Sequence, residues 1–478
     1  MKKTTLLIAA ILAGSSLTVQ AKSPKRGVSE NEFQYKAQMA ALVPGVSWFY
    51  NWANTIGRYL ENEETLEYVP MCWNGNYSLN NIRAFIERHP NVKYILGFNE
   101  PNFKAQANMT PAQAAEHWPE IQAFAKEMGL KLVAPALNYS PDAPYNSPTR
   151  WMDEFVQIVG SDAFDFTAVH SYGGPQVTKD LCTTFHERYG KPVWLTEFCL
   201  WPNEGSPNSY VSPENQTSAM MDMVEWLEKS DFVFRYAWFK SIGKSDSTTG
   251  PNYGLLMSGK GEDPRELSQQ GIVYVYMPDF DEEKYHAINT IVSAADYWTQ
   301  TGCVMDRTQD PSNPLPIEIS RFNAGATADY RFDVPQSGSY TLQLSVSGMG
   351  EPTRFDPNIK VLAVNADGTD GETLAETGTF TLPNDLSVYN DINISVTIPA
   401  GEQTIRIADA NPYQPSGIRI ATLSLTDGSG VRMTGAAGGT HTIYTIDGRI
   451  VKPQSDLNPT QGLDKGIYII DGRKVAIR

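Results

Sequence analysis

Short apolar runs recur along the first half of the chain, each followed by a more polar segment. Eight such runs fall at residues 45–52, 66–73, 92–100, 130–137, 164–172, 191–198, 232–239 and 253–257. Near-continuous apolar runs of this length are typical of parallel strands that are covered on both faces. The pattern therefore predicts eight buried strands.

Helical patterns lie between several of these runs. Residues 78–90 begin with Ser and end at Pro, and residues 110–129 begin with Thr-Pro and end with Gly, which are helix start and stop signals. Strands that alternate with helices predict a (β/α)8 barrel, which we place at residues 43–278. A doubly wound open sheet is the alternative, but the chain shows no glycine-rich phosphate turn.

After about residue 280, apolar and polar residues alternate. Segments 337–348, 390–410 and 417–428 have this period of two, with turn residues between them. We therefore predict an antiparallel β-sandwich of the jelly-roll kind at residues 285–428. In the segment 431–478, IYTIDGRIV recurs as IYIIDGRKV around Asp-Gly hairpin signals. It predicts a small β domain that either packs on the sandwich or serves as a sorting tag.

The N-terminal residues have the composition of an export signal. Two lysines precede an apolar run at 6–14, and Val-Gln-Ala at 19–21 offers a cleavage site. We expect a signal peptide at 1–21, a polar lead-in at 22–42, and a secreted, periplasmic or surface-exposed protein. No other segment is apolar and long enough to span a bilayer.

The charge and the aromatic content narrow the class of partner. The formal net charge is −16, which disfavours nucleic acids and anionic membranes. The chain has 10 Trp and 23 Tyr, and such side chains suit the flat faces of sugars. We expect a polysaccharide partner and a monomeric protein.

Ionisable side chains lie at the ends of three predicted barrel strands. Glu100 ends the third run, His170 lies near the end of the fifth, and Glu197 ends the sixth. Reacting groups of a (β/α)8 barrel lie at the carboxyl ends of its strands, and strands three places apart face each other across the mouth. Two facing carboxyl groups are what glycoside hydrolysis requires.

The stretch GFNEPN places Glu100 between Asn99 and Pro101. Because a proline disfavours helical geometry in the residue before it, we expect Glu100 to have an extended backbone. A lone Glu at a strand end is more often a solvated loop residue. The second Glu, at position 197, is what raises the hypothesis of a glycosidase.

These residues also carry a resemblance to a known family. GFNEPN at 97–102 and VWLTEF at 193–198 resemble the paired signatures of clan A glycosidases. Together with WMDEF at 151–155 and FDFTAVHSYGG at 164–174, they resemble glycoside hydrolase family 128, the endo-β-1,3-glucanases. The resemblance covers about residues 43 to 275. It implies a retaining enzyme that hydrolyses laminarin-like β-1,3-glucan by double displacement. We expect no metal or cofactor in the barrel, because two carboxylates suffice and no ligand cluster stands out in the sequence, while the Asp-rich loops of the sandwich leave calcium open.

The resemblance implies roles for individual residues. Glu100 would be the acid/base, Glu197 the nucleophile, and Asn99 a contact of the substrate 2-hydroxyl, while Tyr172 would hold the nucleophile or a sugar. Ser171 departs from the family pattern, which commonly has an aromatic residue there.

Other candidate substrate contacts come from the strand ends alone. Asn51 ends the first run, and His170 either contacts the substrate or donates a hydrogen bond from behind the reacting groups. Three tryptophans are candidate sugar platforms, with core packing as the alternative and Trp238 preferred: Trp48, Trp201 and Trp238.

The four cysteines have no metal-binding spacing. Burial as small apolar side chains is one interpretation of them, and a disulfide between Cys182 and Cys199 near the barrel rim is the alternative.

The sandwich resembles family 6 carbohydrate-binding modules, on SAADYW at 293–298 and on residues 325–346 and 398–407. Three aromatic residues there either bind a ligand or pack in the core or at an interface: Tyr297, Trp298 and Tyr330.

Two other functions stay open. Another clan A retaining glycosidase, acting on xylan or mannan, would use the same two carboxylates. A non-catalytic surface glycan-binding protein would not need both, so their presence argues against it.

Overall fold

A computed structural model describes most of the chain beyond the predicted export signal. The described residues are 22–31, 33–57, 66–203, 209–245, 247–257, 266–349, 355–383, 385–414 and 416–428, with the backbone of four strands between 440 and 477. The signal predicted at 1–21 lies outside them. In the part that is described, no helix combines the length and the apolar character that a bilayer crossing requires.

Eight parallel strands form the first sheet. They are β1 Arg26–Ser29, β2 Trp48–Tyr50, β3 Glu67–Tyr68, β4 Tyr94–Leu96, β5 Lys131–Leu137, β6 Phe166–Ser171, β7 Val193–Phe198 and β8 Val233–Phe239. The helices in the described part are α1 Lys36–Leu42, α2 Leu79–Arg88, α3 Pro111–Met128, α4 Pro148–Val159, α5 Pro175–Tyr189, α6 Pro213–Lys229 and α7 Gln269–Tyr276.

The sheet closes on itself. Hydrogen-bonded neighbours run in the order β3-β2-β1-β8-β7-β6-β5-β4. Its two ends meet just after β3, where the Cys72 amide donates to the Leu96 carbonyl and the Leu96 amide donates to the Pro70 carbonyl, both at 2.9 Å. The interior is filled by side chains such as Trp48 and Trp194. The prediction of a (β/α)8 barrel is confirmed.

One of the eight predicted barrel strands is wrong, and one strand of the barrel was not predicted. β1 lies in the segment that we assigned to a polar lead-in at 22–42, yet it pairs with both β2 and β8. Its apolar signal is short because it contains Arg26, which is buried in an ion pair with Glu228 at 3.0 Å. The run 253–257 is a loop after β8 with isolated bridges only. Glu100 therefore follows the fourth strand and Glu197 lies in the seventh, so their separation of three strands is unchanged.

The helices begin and end at the signals in the sequence. Thr110 caps α3 by accepting a hydrogen bond from the Gln113 amide at 3.2 Å. Gly129 ends the helix at a φ of 68°, in the left-handed region that glycine adopts without steric cost. Trp118 and Phe124 of this helix are buried in the main core. Such packing holds the strands, and hence their ends, in place.

The second sheet is antiparallel except for one short parallel pair, β9 with β12, and has ten strands. They are β9 His286–Ala287, β10 Val292–Ser293, β11 Thr299–Arg307, β12 Ile317–Val334, β13 Gly338–Gly348, β14 Ile359–Val364, β15 Asp370–Glu376, β16 Asn390–Ile398, β17 Gly401–Asp409 and β18 Ile418–Thr426. Alternate residues such as Leu342 and Leu344 are buried. The prediction of a sandwich is confirmed, and the likeness to family 6 modules stays a prediction.

The sandwich aromatics have structural surroundings. Tyr297 and Tyr330 are buried in the core. Trp298 is half-buried where the sandwich meets the barrel, and its ring lies 4.1 Å from the Lys229 ammonium of α6. Cation–π contact and burial therefore account for these residues as core and interface.

The C-terminal repeat forms a separate four-stranded sheet. Its strands are β19 Thr440–Thr445, β20 Ile450–Ser455, β21 Gly466–Ile470 and β22 Arg473–Ile477. Each copy of the repeat forms an antiparallel pair, β19 with β20 and β21 with β22. Whether this sheet is a sorting tag or a packing domain stays a prediction.

Candidate active site

Two buried carboxylates face each other at the mouth of the barrel. Glu100 follows β4 and Glu197 lies near the end of β7. They are 3% and 4% exposed. One oxygen of each carboxylate and one ring nitrogen of His170 all lie within 4.8 Å of one another. The strand ends therefore bring together the two acids that the sequence singled out.

The backbone at Glu100 differs from our expectation. Its φ is 43°, in the left-handed region, so the predicted extended conformation is wrong. Pro101 disfavours only the right-handed helical region. Two hydrogen bonds hold the observed conformation, both at 2.9 Å. The Glu100 amide donates to the Ala136 carbonyl of β5, and the Phe103 amide donates to the Glu100 carbonyl in a local turn. A non-glycine residue in this region costs about 1–3 kcal/mol and is often found at functional sites.

Glu197 accepts hydrogen bonds from three side chains. Oε1 accepts from the Tyr50 hydroxyl at 3.0 Å and from the Trp52 indole N–H at 2.7 Å. Oε2 accepts a short bond from the Tyr172 hydroxyl. Donors directed at a carboxylate favour its ionised form. Of the two roles left open for Tyr172, this contact supports holding the acid at position 197.

His170 lies between the two acids. Its Nδ1 is 2.9 Å from Oε1 of Glu100 and 3.5 Å from Oε2 of Glu197. The side chain is fully buried, so the structure favours a donor behind the carboxylates over a direct contact with substrate. Among the described residues, these three are the one group of His, Cys, Asp and Glu side chains close enough to share an ion, and hydrogen bonding between them already accounts for their spacing.

Opposing influences set the ionisation of Glu197. Burial raises its pKa most strongly, and the charge of Glu100 raises it further. The His170 ring and the hydrogen bonds from Tyr172 and Trp52 lower it, and the net direction is upward. Burial also raises the pKa of Tyr50 well above its usual value, so the Tyr50 hydroxyl keeps its proton and can donate.

Fewer donors surround Glu100. Asn138, directly after β5, places its amide nitrogen 3.4 Å from Oε1 of Glu100. The side-chain oxygen Oδ1 of Asn138 accepts from the Tyr139 amide at 2.8 Å, which orients the side chain. Among the described residues, the His170 ring is the other hydrogen-bonding neighbour, with its Nδ1 2.9 Å from the same oxygen.

The two predicted asparagines have different environments. Asn99, beside the acid/base candidate, is buried, and its Oδ1 has no hydrogen-bond partner among the described residues. Its predicted contact with a substrate hydroxyl stays a prediction. Asn51 is used inside its own loop, where Oδ1 accepts from the Tyr68 hydroxyl at 2.6 Å and Nδ2 donates to the Thr55 carbonyl at 3.1 Å. Its predicted role in substrate binding is therefore not supported.

Two of the three candidate sugar platforms are core residues. Trp48 and Trp238 are fully buried, and their indole N–H groups donate to the Lys25 and Tyr253 carbonyls at 2.9 and 2.7 Å. The platform prediction is wrong for both, because position near a strand end does not reveal whether a ring points into the mouth. Trp201 is half-buried and stays a candidate.

Trp201 lies beside other rings near the mouth. Its ring stacks on Tyr253 with centroids 5.6 Å apart and lies 6.2 Å from Tyr172. Its indole nitrogen is buried and has no hydrogen-bond partner among the described residues. A sugar would therefore have to use the part of the ring that stays exposed, and the role of Trp201 as a platform stays a prediction.

The cysteines follow the simpler of the two interpretations. All four are buried thiols, and the disulfide between Cys182 and Cys199 does not form. Burial raises the pKa of the Cys72 and Cys182 thiols to about 12, which keeps them protonated and unreactive.

Sequence reasoning missed three residues that contact the acids: Tyr50, Trp52 and Asn138. Tyr50 and Asn138 lie at strand ends, so the rule that found Glu197 would have found them if it had been applied to neutral polar side chains. Trp52 lies two residues beyond β2, and no sequence pattern sets it apart from the other tryptophans.

The fold and the paired carboxylates define a glycoside hydrolase built on a (β/α)8 barrel. A family model described as glycosyl hydrolase catalytic core matches residues 27–271, just over half of the chain. The chain belongs to this family.

Several known proteins are similar to the barrel. An endo-β-1,3-glucanase of glycoside hydrolase family 128, subgroup II, from Pseudomonas viridiflava is 33% identical over 54% of this chain and 99% of its own, with a TM-score of 0.48. Another from Sorangium cellulosum is 31% identical over 53% of this chain and 98% of its own, with a TM-score of 0.46. At this identity over nearly their whole length, the barrel is a family 128 domain, as the sequence motifs predicted.

A curated relative, alkali-sensitive linkage protein 1 from Schizosaccharomyces pombe, is 27% identical over 237 residues. The match covers 48% of this chain and 40% of that protein. The chain therefore spans well under two thirds of the length of this relative.

Proposed function

We propose that this protein is an exported, retaining endo-β-1,3-glucanase. The observation that supports the mechanism best is the distance between Glu100 and Glu197, whose closest oxygens lie within 4.8 Å. Retaining glycosidases hold their two carboxyl groups about 5–5.5 Å apart, whereas inverting enzymes need about 6.5–9.5 Å to fit a water molecule between acid and sugar.

The reaction would proceed in two displacements. Glu197 attacks the anomeric carbon while Glu100 gives its proton to the departing glycosidic oxygen, which leaves a glycosyl ester on Glu197. Glu100, now ionised, takes a proton from water as that water attacks the same carbon. The carbon–oxygen bond to Glu197 breaks, the sugar leaves with retained configuration, and both acids return to their starting states.

The unequal surroundings of the acids support this assignment. Three donors directed at Glu197 stabilise the ionised form that a nucleophile needs, and so act against the burial that raises its pKa. Among the described residues, Glu100 has hydrogen-bonding contacts with Asn138 and His170, fewer than Glu197 has.

The choice of substrate is supported by sequence similarity. The two solved proteins at 33% and 31% identity are named endo-β-1,3-glucanases. The half-buried ring of Trp201 lies 6.2 Å from the ring of Tyr172, which contacts Glu197, and it suits a glucan chain, which offers flat apolar sugar faces. Export is supported only by the composition of residues 1–21, with their paired lysines, apolar run and small-residue cleavage site.

The test is product analysis on laminarin for wild type beside Glu100→Gln and Glu197→Gln. We expect wild type to release short β-1,3-oligosaccharides and both variants to lose at least about 10³-fold in rate, because each lacks one half of the acid pair. A wild type that spares laminarin but cuts xylan or mannan would retain the mechanism and refute the substrate. A wild-type protein that binds glucan without cleaving it would refute the enzymatic function.

A further inference from the structure

Trp52 contacts the proposed nucleophile through its indole nitrogen. Its Nε1 lies 2.7 Å from Oε1 of Glu197, and the Tyr50 hydroxyl donates to the same oxygen at 3.0 Å. The Trp52 ring packs edge-on against Tyr50, with centroids 5.3 Å apart, and against Phe239, with centroids 5.9 Å apart. Residues from both sides of β1, on β2 and β8, therefore fix the direction of this donor.

The backbone of Trp52 is held in an uncommon conformation. Its φ is 56°, in the left-handed region that bulky side chains rarely adopt. Such a conformation persists only where the surroundings stabilise it, and these positions cluster at functional sites. The half-buried ring packs against the interior cluster that contains Trp48 and directs its N–H at Glu197.

An indole donor differs chemically from the two tyrosines that also contact Glu197. A hydroxyl can donate or accept, so Tyr50 and Tyr172 could adapt to a protonated acid. An indole N–H can only donate, and its bond to the acid is strongest when the acid is charged. The contribution of Trp52 is therefore specific to the carboxylate form.

We propose that Trp52 is a positioning residue that holds the Glu197 carboxylate ionised and fixed in rotation through its indole N–H. This inference rests on the proposed function, since it takes Glu197 as the nucleophile. It concerns a neutral residue that touches the acid, and not a group that reacts.

The effect of losing this donor has a definite sign. The titratable groups that face Glu197 are Glu100 after β4, His170 on β6, Tyr50 on β2 and Tyr172 after β6. All of them remain when only the indole N–H is removed. Since that bond lowers the pKa of Glu197, its loss moves the pKa upward.

The test compares pH profiles of kcat/KM on a soluble β-1,3-glucan for wild type and Trp52→Phe. We expect the apparent pKa of the acid limb to rise by about one to two units, which corresponds to the loss of one charge-assisted hydrogen bond. We also expect kcat to fall about 10- to 100-fold, with KM changed less than about threefold. An unmoved acid limb with a raised KM would overturn the proposal and make Trp52 a sugar platform.

Trp151→Phe is the matched control. Trp151 is buried in α4, and its indole N–H donates to the Met109 carbonyl at 2.8 Å, so the substitution removes the same atoms away from the acids. We expect its pH profile to match wild type. A second variant carries benzothienylalanine at position 52, which replaces N–H by sulfur in a ring of the same shape. It should reproduce the shift even if Trp52→Phe folds poorly.

A readout without turnover separates this proposal from the proposed function. Infrared titration of isotope-labelled glutamate carboxyls, assigned with Glu197→Gln, reports the ionisation of Glu197 directly. An inactive wild type with a Glu197 titration that rises on losing the indole N–H would refute the glucanase and retain the role of Trp52. An active wild type whose Glu197 titration is unchanged in both position 52 variants would refute the role of Trp52 alone.

Discussion

Glu197 and Glu100 face each other across the barrel mouth, but the polar groups around them differ in number and kind. Both are buried to the same degree. Glu197 accepts from two hydroxyls and an indole N–H, whereas Glu100 has an amide at 3.4 Å and the His170 ring. Burial alone cannot tell the two acids apart. The donors can, because they stabilise charge on one side of the mouth more than on the other.

The backbones under the two acids differ as well. Glu197 lies within the ladder of β7, where it pairs in register with His170 of β6. Glu100 lies beyond β4 on a turn of positive φ, tied to β5 by the Ala136 carbonyl. The proposed nucleophile is therefore part of the regular sheet, while the proposed proton donor is placed by a loop that tertiary hydrogen bonds shape.

The largest expected effects come from replacing the two acids, and a change of leaving group in the substrate tells the two replacements apart. Glu197→Gln should lose at least about 10⁴-fold in rate on any substrate, since no nucleophile remains. Glu100→Gln should lose about as much on laminarin but keep much of its rate on a dinitrophenyl β-laminarioligoside, whose phenolate leaves without a proton. The measurement is kcat/KM for each variant on both substrates.

Azide provides the control for this comparison. In Glu100→Ala the small anion can enter the vacated space and attack the glycosyl ester, giving a β-glycosyl azide of retained configuration. In Glu197→Ala the missing acid lies on the other face of the sugar. Azide then attacks the anomeric carbon directly from that face, so a product of inverted configuration is expected. Equal losses of both variants on the dinitrophenyl substrate, with no azide product from either, would refute the assignment of roles.

Much of the fold could be predicted from the sequence because strand runs are local signals. Seven barrel strands lie within apolar runs of the sequence. β1 does not, because it has four residues and begins with Arg26. Its charge pairs with Glu228, 202 positions away. The partner of a buried charge is a tertiary fact that no local pattern contains.

The residues of the candidate site also fall into those that local motifs predict and those that depend on the tertiary structure. Glu100, Glu197 and Tyr172 could be found from motifs at strand ends. Trp52 could not, because its donor reaches Glu197 only through a positive-φ turn after β2. Trp238 looked similar in sequence, yet its indole N–H is used by the Tyr253 carbonyl. Which way a ring points depends on turn geometry and strand register, and neither follows from spacing.

Tyr172→Phe is expected to have the next largest effect. It removes the hydroxyl that donates to Oε2 of Glu197, and loss of one preorganised donor typically costs about 10²-fold in kcat. Because that bond lowers the pKa of Glu197, its loss should raise the acid limb of kcat/KM, so activity is lost at a higher pH as the solution is acidified. The measurement is the full pH profile.

Tyr189→Phe is the matched control for this variant. The Tyr189 hydroxyl donates to the Thr149 carbonyl and to Asp153, at 3.2 and 3.1 Å, so these hydrogen bonds lie away from the two acids. Its pH profile should match wild type. A Tyr172→Phe enzyme with an unmoved acid limb would mean that this hydroxyl serves the sugar and not the acid.

The smallest effect is expected on the other side of the mouth. Asn138→Ala removes a neutral amide 3.4 Å from Glu100, a distance at which a hydrogen bond is weak. We expect kcat/KM on laminarin to fall about two- to tenfold, in line with a net contribution of about 0.5–1.5 kcal/mol. Asn146→Ala, in the same loop, removes an amide that donates to the Ser140 carbonyl at 3.1 Å and should leave the rate unchanged.

The rate lost by Tyr172→Phe, divided by the rate lost by Asn138→Ala, tests the comparison of the two acids most directly. If donors matter mainly where negative charge must be held, Tyr172→Phe should cost at least about tenfold more than Asn138→Ala. Equal losses would mean that Glu100 also depends on a stabilised charge in the rate-limiting step. That step would then be the second displacement, in which Glu100 begins ionised, and the weaker hydrogen bonding around it would not mark it as the acid of the first.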